Sequence, residues 1–146
     1  HFFLGDSAGI FTVCGGFNVP IGLANLVPFE LPMTSPLTVF MPRRFRLAGA
    51  SKLVTMGQML DLGVEGFSNR SQVEAIGAEP VANTPEDIYH MAKELEARVA
   101  GTWVETPEDR ERYERFWSVF PANHVFRGTR ARIASSFLRE NPEFID

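Results

Sequence analysis

The sequence predicts an α/β protein with a parallel sheet, followed by helices near the carboxyl end. Residues 2–27 have the pattern of a short apolar strand, a glycine turn, an apolar helix and a second apolar strand, which is typical of a βαβ unit. The chain of 146 residues is 45% hydrophobic and contains 13 Phe, enough for one packed domain. Charges are scarce in residues 1–42 and frequent after residue 83, which predicts an interior first part and surface helices at the end.

The first elements follow from short apolar runs between glycines and prolines. Residues 2–4 form the first predicted strand, and residues 8–17 form a helix that is apolar on nearly every side, as in a helix packed inside a larger protein. Residues 21–27 form the second strand, and residues 38–41 a short third one. The crossover between parallel strands places the glycine turn at the carboxyl edge of the sheet.

The later elements are predicted from helix start signals. Thr55 and Gln58 have the spacing of a capping box, which predicts a short helix to residue 62, and residues 81–82 form a last short strand. The sequence Thr-Pro-Glu-Asp occurs at 84–87 and again at 106–109, and each copy begins a predicted helix. We expect a third helix over residues 129–140.

Composition argues against several classes of function. The net charge of −4 argues against general nucleic-acid binding, which requires a basic surface. No apolar run reaches the length of 18 residues that would predict a transmembrane segment. The single cysteine, Cys14, excludes an internal disulfide framework and a Cys-rich zinc site, and no His or carboxylate pair has the spacing of metal ligands, so we expect no metal.

The turn Gly5-Asp6-Ser7-Ala8-Gly9 is the first candidate site. The N–H groups at a helix amino end are unpaired and carry partial positive charge, glycines allow close approach of a ligand, and Ser7 adds a hydroxyl donor. Together they suit a phosphate or diphosphate. A purely structural turn explains the same residues equally well.

The same five residues also match G-x-S-x-G, the nucleophile elbow of α/β-hydrolases. In that alternative Ser7 attacks an ester, and Asp109 and His124 follow in the required chain order. Asp109 lies in a helix-start box that already accounts for it, and His124 has the surroundings of a loop residue, which weakens the alternative.

Two further candidates lie beyond the turn. The only basic cluster of the first half consists of Arg43, Arg44, Arg46 and Lys52. These residues form either a solvated surface or a clamp that binds a phosphate. Asn25, near the end of a predicted buried strand, needs hydrogen-bond partners, either in a neighbouring loop or in a sugar hydroxyl.

These motifs, in this order, resemble a family of bacterial glycosyltransferases linked to surface-polysaccharide synthesis, of the GT-B type. The residues that carry the resemblance are Phe3-Leu4-Gly5-Asp6-Ser7-Ala8-Gly9, Val19-Pro20, Ala24-Asn25, Pro42-Arg43, Lys52-Leu53, Thr55, Asn83-Thr84-Pro85-Glu86-Asp87-Ile88 and Ala134-Ser135-Ser136-Phe137-Leu138. The resemblance implies a Rossmann-like, donor-binding carboxyl-terminal half over residues 1–101, with residues 102–146 as a helical extension packed on it. The chain would then be incomplete and inactive alone, because its partner is a missing amino-terminal half that usually supplies the catalytic base.

The resemblance also implies a ligand and a location. The substrate is a nucleotide-sugar donor, whose phosphates or sugar meet Ser7, Ala8 and Gly9, with Arg43 as the nearby cation. No cofactor or metal is implied, because helix ends and cations take the charge of the leaving diphosphate in this type of enzyme. The implied location is cytoplasmic, with or without peripheral attachment to the inner membrane. A serine esterase and a non-catalytic nucleotide-sugar-binding module remain the alternatives.

Overall fold

The computed structural model describes residues 1–27, 35–66 and 69–146. The described residues form six strands and six α-helices. The strands are β1 (Phe3–Gly5), β2 (Ile21–Leu26), β3 (Thr38–Pro42), β4 (Arg44–Leu47), β5 (Ala78–Val81) and β6 (Arg132–Ile133). The helices are α1 (Ile10–Gly16), α2 (Met56–Asp61), α3 (Arg70–Ala75), α4 (Pro85–Val99), α5 (Pro107–Val119) and α6 (Ser135–Glu140).

Four of these strands form one parallel sheet in the order β1-β2-β3-β6. The α/β class with a parallel sheet is therefore confirmed for the described residues. The strand predicted at residues 81–82 is instead β5, and it pairs antiparallel with β4 in a separate two-stranded sheet. Strand β4, the partner of β5, is separate from the parallel sheet because β3 ends at Pro42 and the chain turns away directly afterwards.

The helix start signals identify the actual helix beginnings. Thr55, Thr84 and Thr106 each accept a hydrogen bond from the backbone N–H three residues on, and the side chain at that position returns a bond, so all three capping boxes are present. Asn69 begins α3 in the same way, at a position where the sequence analysis predicted no helix. Local hydrogen bonding of this kind needs no tertiary partner, which is why sequence can reveal it.

The helix predicted over residues 129–140 is wrong in its first half. Arg132 and Ile133 instead form strand β6, opposite Val39 and Phe40 of β3. The helix begins at Ser135, whose N–H donates to the buried carboxylate of Glu94 at 2.7 Å. The spacing of Ile133 and Phe137 fits a helical face, but strand pairing with a distant part of the chain decides the conformation of Ile133.

Helices cover both faces of the parallel sheet. A side chain at Gly22 would come within 3.4 Å of Met91 and Leu95, so this face of β2 packs on α4. Successive strand residues point to opposite faces, and Phe40 on the other face packs against Phe116 of α5 with ring centroids 6.2 Å apart. Helix α1 contacts β1 and β2 on that second face, where Gly15 lies near Ile21.

The carboxyl-terminal residues share the core of the sheet. Phe116 and Phe126 both pack on Phe40, and β6 extends the sheet beyond β3. The predicted extension over residues 102–146 therefore contributes a strand as well as helices. The division of the chain at residue 101 stays a prediction.

Helix α1 is apolar but has no buried residue. The side chains of Ile10, Val13 and Phe17 are 57%, 54% and 79% exposed. Phe11 and Cys14 pack against the core, whereas contacts within the described chain do not account for the three exposed apolar side chains.

Candidate functional site

Strands β1, β2 and β3 end side by side at one edge of the sheet. Because the three strands are parallel neighbours, the residues that follow Gly5, Leu26 and Pro42 all lie at the carboxyl edge. Ligands of open α/β sheets bind at this edge, beyond the strand ends. The turn after β1 and Arg43 after β3 are thus brought to the same side of the molecule.

The turn after β1 already pairs part of its own hydrogen-bonding capacity. Asp6 Oδ1 accepts a hydrogen bond from the Ala8 N–H at 3.0 Å, which closes an Asx turn. The Ser7 hydroxyl donates to the carbonyl oxygen of Val27 at 3.0 Å and so joins the ends of β1 and β2. Among the described residues, the N–H groups of Gly9 and Ile10 make no hydrogen bond. The amides of Asp6 and Ser7 are likewise without a hydrogen bond there, and those of Gly9 and Ile10 are the two at the amino end of α1.

The two glycines of the turn differ in what they allow. A Cβ at Gly5 would lie 2.6 Å from the ring of Phe3, so a side chain there would displace this partly exposed ring. A Cβ at Gly9 would meet no described atom within 4 Å. Gly9 is therefore not required by packing in the described chain, and close approach of a ligand remains the reason the sequence analysis offers for it.

A groove of about 220 Å³ opens beyond the ends of β2 and β3. The described residues that line it are Val27, Arg43, Phe45, Asn69, Arg70, Val73 and Pro80. Val27 connects the groove to the turn after β1, because its carbonyl oxygen accepts the Ser7 hydroxyl. The Nε atom of Arg43 is buried and has no hydrogen-bond partner among the described residues, as is also true of Nε in Arg44 and Arg46. Arg43 differs from those two because it lines the groove, where its guanidinium could bind an anion.

The basic cluster of the sequence does not act as one clamp. Arg44 is buried, and its guanidinium bonds Asp87 at 3.0 Å, Asn141 at 3.1 Å and the carbonyl oxygen of Ala82 at 3.1 Å. Of the four basic residues, only Arg43 lines the groove. The clamp prediction is therefore corrected to Arg43 alone, since the neighbouring arginine holds β4, α4 and the carboxyl-terminal segment together.

The remaining two cations of that cluster lie on or beyond β4. Arg46 stands opposite Glu79 in the pairing of β4 with β5, and Lys52 is exposed on the loop that follows. Neither residue lines the groove. The four basic residues are therefore distributed among the groove, a buried ion pair, a strand pairing and an exposed loop.

Two roles were predicted for Asn25, and the structure shows the first of them, because the residue holds a neighbouring segment of the chain. Its backbone has φ +53°, and the ladder between β2 and β3 is irregular there. Its N–H donates to Asn83 Oδ1 at 2.6 Å, and its own Oδ1 accepts the Asn83 N–H at 2.7 Å. Asn83 also donates from Nδ2 to the carbonyl oxygen of Pro42 at 3.1 Å. This exchange fixes the ends of β2 and β3, and thereby Val27 and Arg43, relative to α4.

The hydrolase alternative lacks its geometry in the described residues. Asp109 accepts hydrogen bonds from Arg139, and His124 Nδ1 accepts the Phe126 N–H at 3.1 Å. Neither side chain has a hydrogen bond to Ser7, whose hydroxyl is taken by Val27. Ser7 is also not among the described residues with positive φ, whereas a nucleophile elbow is a strained turn.

The electrostatics of Asp109 illustrate how its role is structural. Hydrogen bonds from the Arg139 guanidinium hold the pKa of the Asp109 carboxyl below its usual range, against the opposing effect of burial. The same carboxylate caps α5 through Thr106. A charge bound in this way stabilises a helix and its neighbour, and it is unavailable to orient a catalytic histidine.

Two residues of this region, Asn83 and Arg70, were not predicted as site residues from the sequence. Asn83 was seen only as part of a helix-start box, and its bonds to Asn25 span 58 residues of sequence. Arg70 lies in a stretch without strong periodicity, although Asn69 and Gln72 have the spacing of a cap that could have identified α3.

Two general properties complete the description of the site region. The described residues contain no cluster of three or more metal-ligating side chains. No helix of the described part combines the length and apolar character needed to cross a bilayer.

Comparison with known proteins finds no matching family model, no matching curated protein and no matching solved structure.

Proposed function

We propose that this chain is the Rossmann-like, donor-binding half of a GT-B glycosyltransferase that acts in the cytoplasm. In this proposal residues 1–101 bind a nucleotide sugar, and residues 102–146 support them as a carboxyl-terminal extension. The observation that carries the proposal is the position of Arg43. It lines a groove at the carboxyl edge of three adjacent parallel strands, and Val27 links that groove to the Gly5–Gly9 turn.

The chemistry follows from what a nucleotide sugar requires. During transfer the bond between the anomeric carbon and the diphosphate oxygen breaks, and an acceptor oxygen forms the new bond while losing its proton. The leaving diphosphate keeps the electron pair and gains negative charge. The Arg43 guanidinium and the free amides of Gly9 and Ile10 are the groups that would stabilise this charge. The base that receives the acceptor proton would come from a second half of the enzyme.

Asp6 has a supporting role in this proposal. A carboxylate repels phosphate oxygens, so it would not contact the ligand directly. Its bond to the Ala8 N–H sets the shape of the turn and leaves the two following amides unpaired. The donor is thus expected to approach from the side of Gly9, where the space around the backbone is open.

Calorimetric titration of the 146-residue chain with UDP-glucose, GDP-mannose and dTDP-glucose tests the proposal. We expect one of these donors to bind, and Arg43→Gln to weaken that binding about tenfold or more, since charge-assisted hydrogen bonds contribute roughly 1.5–3 kcal/mol. Arg130→Gln is the matched control. Arg130 is exposed and precedes β6 at the opposite edge of the sheet.

Two outcomes would contradict the proposal. The first is donor binding that Arg43→Gln and Arg130→Gln leave equally unchanged. The second is covalent labelling of Ser7 by a fluorophosphonate, which would favour the esterase. If the chain binds a donor but transfers no sugar when it is combined with a second half, it is the non-catalytic binding module instead.

A further inference from the structure

The groove beside Arg43 has a second cationic wall. Helix α3 contributes Arg70, its first residue, together with Val73, on the side of the groove away from the strand ends. Phe45 and Pro80 of the β4–β5 sheet supply apolar surface. Two guanidinium-bearing residues therefore line one cavity of about 220 Å³.

Within the described lining of the groove, no negative charge balances these two arginines. The described residues that line it include no carboxylate. Two cationic residues that line one groove attract an anion, because each adds positive potential there. Arginine binds phosphate and carboxylate oxygens through paired N–H donors.

Arg70 is at present held by a carboxylate outside the groove. Its Nε donates to Glu74 Oε1 at 2.6 Å, and Glu74 lines a neighbouring groove with Glu79 and Gly77. The side chains of Arg70 and Glu74 are 87% and 59% exposed. An ion pair this exposed is weak, so an incoming anion can replace Glu74 as the partner of Arg70.

We propose that Arg70 is a second anion-binding residue of the groove and that Glu74 competes with the ligand for it. The ligand class is a diphosphate, either free or as part of a nucleotide sugar. The diphosphate form of the proposal rests on the proposed function, whereas the competition between Glu74 and an anion does not. Removing Glu74 should then strengthen anion binding, and removing Arg70 should weaken it.

The opposite signs of these two effects separate the proposal from a structural role. If the ion pair served only to stabilise α3, loss of either partner would lower stability by a similar small amount and leave affinity unchanged. Competition instead predicts that the two variants move the dissociation constant in opposite directions. The affinity for an anion is therefore the measurement that decides between them.

Titration with inorganic pyrophosphate at low ionic strength tests the proposal on the 146-residue chain. We expect Arg70→Gln to weaken binding about two- to fivefold, the upper range for an ion pair of an exposed guanidinium. Glu74→Gln should tighten binding about twofold, the factor that corresponds to an exposed ion pair. Glu79→Gln is the control, because it removes the same charge from the same neighbouring groove without a bond to Arg70. Thermal melting of each variant checks that it is folded.

Each result has a definite consequence. The proposal is overturned if pyrophosphate does not bind, if Arg70→Gln binds it as the wild type does, or if Glu74→Gln gains no more than Glu79→Gln. If pyrophosphate binds with the expected pattern and no nucleotide sugar binds, the anion site stands and the proposed function fails. If a nucleotide sugar binds through Arg43 and is insensitive to Arg70, the proposed function stands and this inference fails.

Discussion

The backbone of Asn25 provides a quantitative test of how the carboxyl edge is held. Asn25 has φ +53°, a left-handed conformation that costs a residue with a Cβ about 1–2 kcal/mol and costs glycine little. Its Oδ1 also accepts the N–H of Asn83, which is almost fully buried. Replacing Asn25 by alanine removes this acceptor and keeps the conformational cost, whereas glycine removes the acceptor and also relieves that cost.

The expected magnitudes follow from these two contributions. Leaving the buried Asn83 N–H unpaired costs about 1–3 kcal/mol in either variant. We therefore expect Asn25→Ala to lose about 1–3 kcal/mol of unfolding free energy, and Asn25→Gly about 1 kcal/mol less than that. Asn25→Asp keeps an acceptor oxygen and should lie closest to the wild type.

Asn18 supplies the matched control. It also has a positive φ, +54°, but it is exposed, and no hydrogen bond of its side chain is found among the described residues. Asn18→Ala and Asn18→Gly should therefore differ by the conformational contribution alone. Urea denaturation followed by tryptophan fluorescence measures all five variants. Equal stability of Asn25→Ala and Asn25→Gly, with a clear difference at Asn18, would refute the conformational argument for Asn25.

Three further outcomes are expected. Gly22→Val should lower the unfolding free energy by about 1–3 kcal/mol, because a Cβ there lies 2.9 Å from Leu4 and 3.3 Å from Leu95; thermal melting checks it. Arg44→Met should cost about 3–5 kcal/mol, because its buried carboxylate partner loses its cation, and a variant as stable as the wild type in urea would show that the pair is dispensable. The Arg139 guanidinium lowers the pKa of Asp109, so its contribution is present above the unfolded pKa of about 3.9 and is lost as pH falls through the lower folded value. Arg139→Gln should accordingly lower the urea midpoint at pH 6 and have a smaller effect near pH 3, and an effect independent of pH would contradict this assignment.

Local chemistry explains which parts of the fold the sequence could predict. The capping boxes at Thr55, Thr84 and Thr106 each involve residues three positions apart, so the hydrogen bonds that start a helix are already encoded in four residues. The βαβ unit of residues 3–26 was predictable for a similar reason, since its apolar runs are separated by glycine and by Asn18 with its positive φ.

Long-range pairing explains what the sequence could not predict. Arg43 and Arg44 are adjacent, yet one lines the groove and the other bonds Asp87, 43 residues away. Strand β6 has only two residues, and its conformation depends on β3, about 90 residues earlier in the chain. The neighbouring sequence does not distinguish an arginine of the groove from an ion-paired one, or this strand from a helix. In each case the partner that decides the contact or the conformation is distant in sequence.

The distribution of hydrogen bonds at the carboxyl edge also determines which groups can contribute most to binding an anion. Asp6 already pairs the Ala8 amide and places a negative charge beside the turn, and the Ser7 hydroxyl is committed to Val27. Among the described residues, the helix end of the turn offers the free amides of Gly9 and Ile10, on a helix too short to add a large dipole. Most of the favourable charge must come from the groove arginines. Anion affinity should consequently fall steeply with added salt, since partly exposed charges are screened over a distance of about 10 Å at 0.1 M ionic strength.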